Sequence, residues 1–263
     1  MNDLLKKLQS KNITINVIDN QLDIKAPKGA MTKELLSEIK KHKEALMSFM
    51  SKYKAEEATN VVIPRASNKS NYILSSSQYR LWLLQQIEND TSTYNMPSLF
   101  SLKGSINSQN LEKAFLKLIE RHEILRTNII VEEETGIPKQ IIKSVEANNF
   151  KLDYVDISKD KDVSETLQTI IEKEVNYNFD LESDALIRVS LIKKSNDDYI
   201  LISVMHHIIS DGWSSSIMIT DLFSIYQSIL KGEDIQLEPL SIQYKNFAEW
   251  QQATLDSDFT IKD

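Results

Sequence analysis

The chain has 263 residues, 41% of them hydrophobic, and a net charge of −7, which is ordinary for a folded protein of one large domain or two unequal ones. It contains no cysteine, so disulfides, thiolate zinc sites and cysteine nucleophiles are excluded. The negative charge argues against nucleic-acid binding, and no apolar run reaches the ~18 residues of a membrane span. Because the first residues, MNDLLKKLQS, lack the apolar core of a signal peptide, we expect a cytoplasmic protein that binds neither nucleic acid nor membrane.

The charge is unevenly distributed along the chain. Residues 1–53 contain ten lysines and six acidic residues, a net charge of +4, which leaves −11 for the rest. From residue 54 to residue 70 the helical periodicity lapses, and Pro64 with several serines and asparagines is typical of a loose connection. We therefore predict a small basic domain at 1–53, a linker at 54–70 and a large acidic domain at 71–263.

The small domain is predicted to contain a helix, a β-hairpin and one or two further helices, in the order αββαα. A period of two places Ile15 and Val17 on one side of the first strand, and Leu22 and Ile24 on one side of the second. The Asp-Asn pair between the strands favours a tight turn, and Thr32 is expected to cap the helix that follows. A lone hairpin leaves a strand edge to which a partner can add a strand, whereas the alternative is a structural cap on the larger domain.

The large domain alternates between helical and strand periodicities, which predicts a layered α/β sandwich. The predicted elements are a helix at 77–86, a strand near Leu99, a helix at 110–122, two strands flanking 134–136, a strand near Leu152, a helix through Ile170, strands at 186–193 and 199–206, and a long helix to about Leu230. With five glycines and no glycine-rich loop, a nucleotide site of the phosphate-cradling kind is not expected.

The apolar strand at 199–206 leads into two adjacent histidines, His206 and His207. Such a run is typical of a central strand that is covered on both faces. Because side chains alternate along a strand, the two histidines face opposite sides and cannot both bind one ion, so we expect no metal site. Two hypotheses stay open at this point: core histidines satisfied by the backbone, or one histidine in a functional site.

The residues after the histidines favour the functional hypothesis. Asp211 and Gly212 predict a sharp turn, and Ser214 or Ser215 is expected to cap a helix that ends at Gly232. A histidine is then held beside a helix N-terminus, whose N–H groups and positive dipole stabilise developing negative charge. Gly212 leaves room for a substrate to approach the backbone.

Five segments in order resemble the motifs of the condensation domains of nonribosomal peptide synthetases, which are relatives of chloramphenicol acetyltransferase. The segment MHHIISDGWSS at 205–215 is similar to the family signature HHxxxDG. The other segments are SSSQYRLWLL at 75–84, RHEILRTN at 121–128, FDLESDALIR at 179–188 and YKNFAEW at 244–250. Asn128 and Asn246 depart from the family pattern, which has phenylalanine and aspartate there.

The resemblance implies a fold of two acetyltransferase-like α/β lobes with a substrate tunnel between them, of which residues 71–263 would be the N-terminal lobe without the C-terminal one. It also implies amide formation, in which the amine of an acceptor aminoacyl thioester attacks a donor acyl or peptidyl thioester. Both substrates would be presented on the phosphopantetheine arms of partner carrier proteins, with no cofactor bound directly. The alternative is that this chain is a docking module carrying a catalytically inert half domain.

The resemblance assigns roles to the charged and titratable residues of the site. His207 would be the general base toward the amine, or the group that positions it. His206 would pack behind the site. Asp211 would form a structural ion pair with Arg126, which we prefer, or with Arg121.

The small residues that follow have a different expected role. Gly212, and Ser214 together with the helix start, would shape the tunnel and donate hydrogen bonds toward the oxyanion. Trp213 and His122 are expected to be packing residues.

The small domain resembles the N-terminal docking domains of nonribosomal peptide synthetases of the tubulysin-synthetase type, in its order of elements and in the segment LLSEIKKHKEALMSFM after the hairpin. The resemblance implies that the hairpin captures the C-terminal peptide of an upstream synthetase by β-augmentation. The excess of lysines leads us to expect an acidic peptide. The expected partner-binding residues are Ile15, Val17, Leu22, Ile24, Lys25 and Lys28.

Overall fold

The computed structural model describes residues 62–88 and 91–260, the strands at 14–18 and 21–25, and the single positions 27, 32, 35, 39 and 42. Contacts between residues divide the chain into two compact units, Met1–Val62 and Ile63–Asp263. Within the described residues, no helix is long and apolar enough to cross a lipid bilayer.

The smaller unit contains the predicted β-hairpin, which is confirmed. Strand β1 (Thr14–Ile18) is antiparallel to β2 (Gln21–Lys25), and two residues connect them. In the register, Ile15 lies opposite Ile24 and Val17 lies opposite Leu22. The four apolar positions that the sequence placed on the hairpin are therefore paired with one another across the two strands.

A helix follows the hairpin in the smaller unit. The Leu35 N–H donates a hydrogen bond to the Thr32 hydroxyl oxygen (3.3 Å), as a helix capped by Thr32 requires. Leu35 and Ile39 are helical and buried. The predicted first helix and the partner-binding candidate Lys28 lie outside the described residues.

The larger unit alternates helices and strands in the predicted order. Its helices are α1 (Ser76–Ile87), α2 (Ser108–Arg121), α3 (Val163–Val175), α4 (Gly212–Lys231) and α5 (Tyr244–Thr260). Its strands are β3 (Tyr72–Ile73), β4 (Asn95–Lys103), β5 (Thr127–Val131), β6 (Pro138–Ile142), β7 (Leu152–Asp156), β8 (Ile187–Ser195) and β9 (Asp198–His206).

The main sheet has four strands in the order β4-β9-β8-β7. β7 runs parallel to β8, and the other neighbours are antiparallel. β9 is a central strand whose last six residues are all buried, because layers of side chains cover both faces of the sheet. The prediction of a covered central strand that leads to the histidines is confirmed.

The two faces of this sheet carry different helices. On one face, Ser98 and Phe100 of β4 line a small apolar cavity together with residues of α2 and α4. On the other face, the Asn95 side chain donates hydrogen bonds to the carbonyl oxygens of Val175 (2.8 Å) and Tyr177 (2.7 Å), at the end of α3. The sheet is therefore sandwiched between helices, as the alternating pattern predicted.

A second sheet has three strands in the order β3-β6-β5, all antiparallel. Helix α5 contacts both β3 and α1. The hydroxyls of Ser75 and Tyr244 are 2.8 Å apart, which joins the start of α1 to the start of α5. Segments that are far apart in the sequence thus meet beside the short sheet.

A bidentate ion pair lies between α3 and β8. The Arg188 guanidinium donates from Nε to Glu174 Oε2 (3.0 Å) and from Nη2 to Glu174 Oε1 (3.1 Å). The Glu174 side chain is 6% exposed and the Arg188 side chain 25%. The Tyr177 ring lies under the guanidinium, 4.1 Å from Cζ to the ring centroid. A carboxylate this deeply buried depends on its cationic partner.

Candidate functional site

The first histidine of the pair closes β9 and is completely buried, with 0% of its surface exposed. Its Nδ1 accepts a hydrogen bond from the Ile208 N–H (3.1 Å), whereas its Nε2 has no hydrogen-bond partner among the described residues. The ring of Phe179 packs edge-on against the imidazole, with centroids 6.1 Å apart, and the Tyr94 ring lies 6.2 Å away. Because Nδ1 is an acceptor, neutral His206 carries its proton on Nε2.

Burial, and to a smaller extent the neighbouring His207, lowers the pKa of His206 from 6.5 to about 4. Protonation would place a charge among aromatic rings and would also remove the acceptor of the Ile208 N–H. His206 is therefore neutral at physiological pH and has a structural role in the turn.

We expect the free energy of unfolding to decrease as the pH is lowered, because His206 is buried in its neutral form. The unfolded chain binds a proton near pH 6.5 and the folded chain only near pH 4, so stability is complete above pH 6.5 and declines as the pH falls toward 4. Each pH unit in this window is worth ~1.4 kcal/mol, about 3 kcal/mol in total. Urea unfolding at pH 7, 6, 5 and 4 measures this loss.

The matched control for this prediction is His206→Asn, whose side-chain oxygen can still accept from the Ile208 N–H but does not titrate. The acidic residues of the chain titrate equally in both proteins, so the difference between their pH profiles isolates His206. Parallel profiles would show that the neutral buried histidine does not contribute to the pH dependence.

The second histidine faces solvent. Its backbone N–H donates to the Tyr94 carbonyl oxygen (2.8 Å), which extends the β4–β9 pairing by one step. Its Nδ1 lies 2.7 Å from the Ser210 carbonyl oxygen. A carbonyl only accepts hydrogen bonds, so Nδ1 carries the proton in the neutral ring, and Nε2 of His207 presents a lone pair. The alternation along the strand thus separates a buried histidine from an exposed one.

Asp211 caps the helix that follows the histidines. Its backbone is extended (φ −137°, ψ 178°), and its Oδ1 accepts hydrogen bonds from the Ser214 N–H (2.8 Å) and the Ser214 hydroxyl (2.7 Å). The Ser214 hydroxyl in turn accepts from the Asp211 N–H (2.8 Å), which completes a capping box. The expectation that Ser214 or Ser215 is the N-cap was wrong, because the helix begins at Gly212 and its N-cap is Asp211, three residues before Ser214.

The ion pair expected between Asp211 and an arginine is not formed. Among the described residues, no arginine nitrogen lies within 4.0 Å of the Asp211 carboxylate, which is exposed and held by Ser214 instead. The Ser214 backbone N–H, followed by the Ser214 hydroxyl, lowers the pKa of the Asp211 carboxyl below its ordinary value. Because an exposed, capping carboxylate is already stabilised by hydrogen bonds, it does not require a cationic partner.

The two candidate arginines pair elsewhere. Arg121 Nε donates to Asp221 Oδ2 (2.9 Å), and His122 Nε2 donates to the same oxygen (2.8 Å), so His122 is a satisfied packing histidine as expected. Arg126 donates to the Lys143 carbonyl oxygen and lies 3.7 Å from Glu123. Arg121 therefore joins the C-terminal end of α2 to α4, and Arg126 joins the segment after α2 to the end of β6, so neither pairs with the aspartate of the turn.

Ser214 does not have the oxyanion role that we expected, because both its N–H and its hydroxyl are engaged in the capping box. Gly212 does meet the expectation of room, since a Cβ at this position would have no neighbour within 4 Å. Trp213 was expected to pack, yet it is 82% exposed. Gly212 and Trp213 line a groove of about 530 Å³ along α4, together with Ser216, Ile217, Thr220 and Asp221.

Other sequence motifs converge on this turn. The buried Gln78 of α1 donates from Nε2 to the Ile208 carbonyl oxygen (3.3 Å). Asn128 donates from Nδ2 to the carbonyl oxygens of Leu181 (3.0 Å) and Asp184 (2.7 Å). It thereby anchors the segment whose Phe179 packs against the buried histidine.

Two contributions to the site were missed by sequence reasoning. The Tyr94 carbonyl that holds the second histidine is a backbone group, for which a sequence has no signal. Gln140 is buried on β6 and bonded to Gln78. The only indication of this role in the sequence is a polar residue at an inward-facing position of a short strand. Within the described ranges, no group of three or more histidine, aspartate or glutamate side chains is placed to hold a metal ion.

The chain matches two known protein families. Residues 68–263 match the Condensation domain family, and residues 1–52 match the TubC N-terminal docking domain. Over 250 residues, 95% of this chain and 9% of the relative, it is 30% identical to bacitracin synthase 2 of Bacillus licheniformis. Over 180 residues, 68% of this chain and 1% of the relative, it is 41% identical to cyclosporin synthetase of Tolypocladium inflatum.

The fold also matches solved structures. One is the starter condensation domain of rhizomide synthetase, with a TM-score of 0.64, 20% sequence identity, and coverage of 74% of this chain and 45% of that one. The chain therefore spans less than half of that solved domain and less than a tenth of the two synthetases.

Proposed function

The chain belongs to the condensation-domain family, and from this membership we propose that its larger unit takes part in amide formation between two carrier-bound thioesters. The amine nitrogen of an acceptor aminoacyl thioester attacks the carbonyl carbon of a donor acyl or peptidyl thioester. The new C–N bond forms, the C–S bond breaks, and the donor's phosphopantetheine thiol is released. Partner carrier proteins deliver both substrates.

The observation that carries this proposal is the orientation of His207. Its Nδ1–H is fixed on the Ser210 carbonyl oxygen (2.7 Å), so Nε2 is the atom free to accept a proton from the attacking amine. The ring is exposed. An imidazole with one nitrogen fixed as a donor and the other exposed is the arrangement that a general base needs.

Positioning is the larger of the two contributions that we assign to the site. An α-amine has a pKa of ~7.7, so an appreciable fraction is already neutral, and general base catalysis adds ~10²–10⁴-fold. Alignment of two thioesters corresponds to effective molarities of ~10⁵–10⁸ M. We therefore propose that His207 both accepts the proton and holds the amine by a hydrogen bond to Nε2.

The test is a condensation assay with donor and acceptor thioesters loaded on carrier proteins, run on this chain and on the synthetase that carries its sequence. Amide product from the synthetase supports the proposal, and its absence there, with both carriers shown to be loaded, contradicts it. The second candidate function is a docking module with a catalytically inert half domain, and the match of residues 1–52 to a docking domain favours its docking part. Turnover by this chain alone would exclude that candidate.

We propose that the smaller unit docks an upstream synthetase through the β1–β2 hairpin. The match of residues 1–52 to the TubC N-terminal docking domain supports this role. A two-stranded sheet has unpaired N–H and C=O groups along its outer edges, to which an extended peptide can add as a third strand. The net charge of +4 over residues 1–53 favours an acidic C-terminal peptide.

We expect reversal of two lysines, Lys25→Glu at the end of β2 and Lys28→Glu three residues later in the sequence, to weaken binding of an acidic C-terminal peptide by about tenfold, since an ion pair at a protein surface contributes ~0.2–1 kcal/mol. Calorimetry with synthetic peptides from candidate upstream synthetases measures the affinity at low and high salt. Lys52→Glu, far from the hairpin in sequence, is the matched control. Equal affinity in both variants, or affinity that is independent of salt, would contradict an electrostatic contribution.

Strand addition has its own signature. In amide NMR spectra titrated with the same peptide, the shifts should concentrate in β1 or β2. Shifts confined to residues outside both strands would rule out β-augmentation while leaving docking itself intact.

A further inference from the structure

We infer that Gln78, a residue of the first helix of the larger unit, positions the turn that carries His207. The proposal is that its side-chain amide fixes the Ile208 peptide and thereby the backbone on which the proposed catalytic histidine stands. The expected effect of Gln78 on turnover rests on the proposed function. Its expected effect on the backbone of the turn does not depend on any reaction.

The hydrogen bonds of Gln78 are divided between its own helix and the turn. Its Oε1 accepts from the Ser75 N–H (3.1 Å), and its backbone N–H donates to the Ser75 hydroxyl (3.2 Å), so the acceptor side completes the capping box of α1. The two N–H groups of its Nε2 donate outward, to the Ile208 carbonyl oxygen and to Gln140 Oε1, both at 3.3 Å. Both donors of the amide are therefore engaged.

Burial makes these bonds consequential. Gln78, Gln140 and Ser75 are each 1% exposed, so water does not replace a lost partner. Gln140 donates in turn to the Ile73 carbonyl oxygen (2.6 Å), and the Ser75 hydroxyl is 2.8 Å from that of Tyr244. The chain of bonds thus connects β3, β6 and the start of α5 to the turn after β9.

Ile208 is held at both of its backbone polar groups, which belong to successive peptide groups. Its N–H donates to His206 Nδ1 (3.1 Å), and its carbonyl, part of the Ile208–Ile209 peptide, accepts from Gln78 (3.3 Å). The peptide before both is also fixed, because the His207 N–H donates to the Tyr94 carbonyl oxygen (2.8 Å). Gln78 supplies the contact between the turn and α1, so its loss releases the Ile208 carbonyl, which the histidine pair does not hold.

The functional consequence follows from geometry. Nδ1 of His207 bonds to a carbonyl of the same turn, so a rotation of the Ile208 peptide changes the direction in which Nε2 points. Small misplacements of a reacting group lower rates by up to ~10²-fold without loss of substrate binding. Gln78 is therefore a positioning residue, which acts through the backbone and does not touch the substrate.

The test replaces Gln78 with methionine, which is of similar length and lacks the amide. In Gln78→Met we expect shifts of the backbone amides from His207 to Ser210, and about tenfold faster hydrogen exchange of the Ile208 N–H. In the synthetase that carries this sequence, kcat should fall by roughly 10- to 100-fold with KM nearly unchanged.

The matched control is Thr127→Val. Thr127 is also buried, at 2% exposed, and its hydroxyl donates to a backbone carbonyl oxygen, that of Glu123 (2.8 Å), which is not part of the turn. This variant should lose stability comparably while the amide shifts and the exchange of Ile208 remain as in the unaltered chain. If both variants disturb the turn equally, the effect is general loosening, and the positioning role is wrong.

A measurement on the unaltered chain keeps the inference testable even if Gln78→Met does not fold. The side-chain NH₂ protons of Gln78 should be protected from solvent exchange and show nuclear Overhauser contacts to the Ile208 backbone. Rapid exchange without these contacts would overturn the inference. Because the NMR readouts need no turnover, they can succeed when the condensation assay fails, and the two proposals are tested separately.

Discussion

Replacement of His207 by alanine should lower the rate of amide formation by about 10²–10⁴-fold, the range that a general base contributes. The reason lies in the geometry, since the Nδ1–H bond to the Ser210 carbonyl (2.7 Å) leaves Nε2 with a lone pair, the proton acceptor that we propose. The measurement is the initial rate with both carriers saturated, in the synthetase that carries this sequence. Docking of the upstream peptide should be unaffected, because the substitution lies in the other unit.

Two further variants sharpen this result. His207→Gln keeps a hydrogen-bonding side chain but cannot take up a proton, so recovery of most of the rate would assign positioning rather than base catalysis. His122→Gln is the control for loss of a histidine, because a glutamine amide can still donate to Asp221 in place of Nε2. Undiminished activity of His207→Ala would refute the assigned role.

The second large effect concerns stability. Arg188→Met should lower the free energy of unfolding by about 3–5 kcal/mol, since it leaves a buried carboxylate without its partner. Glu174 is 6% exposed and receives both hydrogen bonds from the guanidinium. Urea unfolding at pH 7 measures the loss.

A double variant distinguishes removal of the whole ion pair from removal of its arginine alone. With Glu174→Met added to Arg188→Met, no charge is left buried, and most of the stability should return. Lys193→Met is the control on the same strand, because the Asp156 carboxylate of its ion pair (3.1 Å) is 39% exposed, whereas Glu174 is 6% exposed, so water can replace the lost partner. A loss from Lys193→Met as large as that from Arg188→Met would contradict the distinction between buried and exposed pairs.

The strands, and the face of the strand on which each side chain lies, could be predicted from the sequence. The apolar run of β9 defined a central strand, and alternation along it separated a buried His206 from an exposed His207. These properties depend on local periodicity, which a sequence contains directly. The hairpin at β1 and β2 was predictable for the same reason.

The pairing of charges could not be predicted. The two arginines of the segment RHEILRTN were the candidate partners of Asp211. Both bind elsewhere, Arg121 to Asp221 and Arg126 to the Lys143 carbonyl. Which acidic group an arginine reaches depends on distances between helices that have no periodic signature. The capping role of the aspartate did have a local signal in the sequence, which is the serine three residues later. The resemblance to the family implied an ion pair for this aspartate instead.

The order of the main sheet has a consequence for the synthesis of the protein. Within the described residues, β4 pairs only with β9, and its first residue, Asn95, lies opposite His206. A ribosome adds ~5–20 residues per second, so the edge of β4 waits on the order of ten seconds for its partner strand to emerge. The segment that completes the sheet is also the one that delivers both histidines. The turn with both histidines therefore forms only after β9 has emerged, and a chaperone that shields β4 during this interval would protect the strand pairing on which that turn depends.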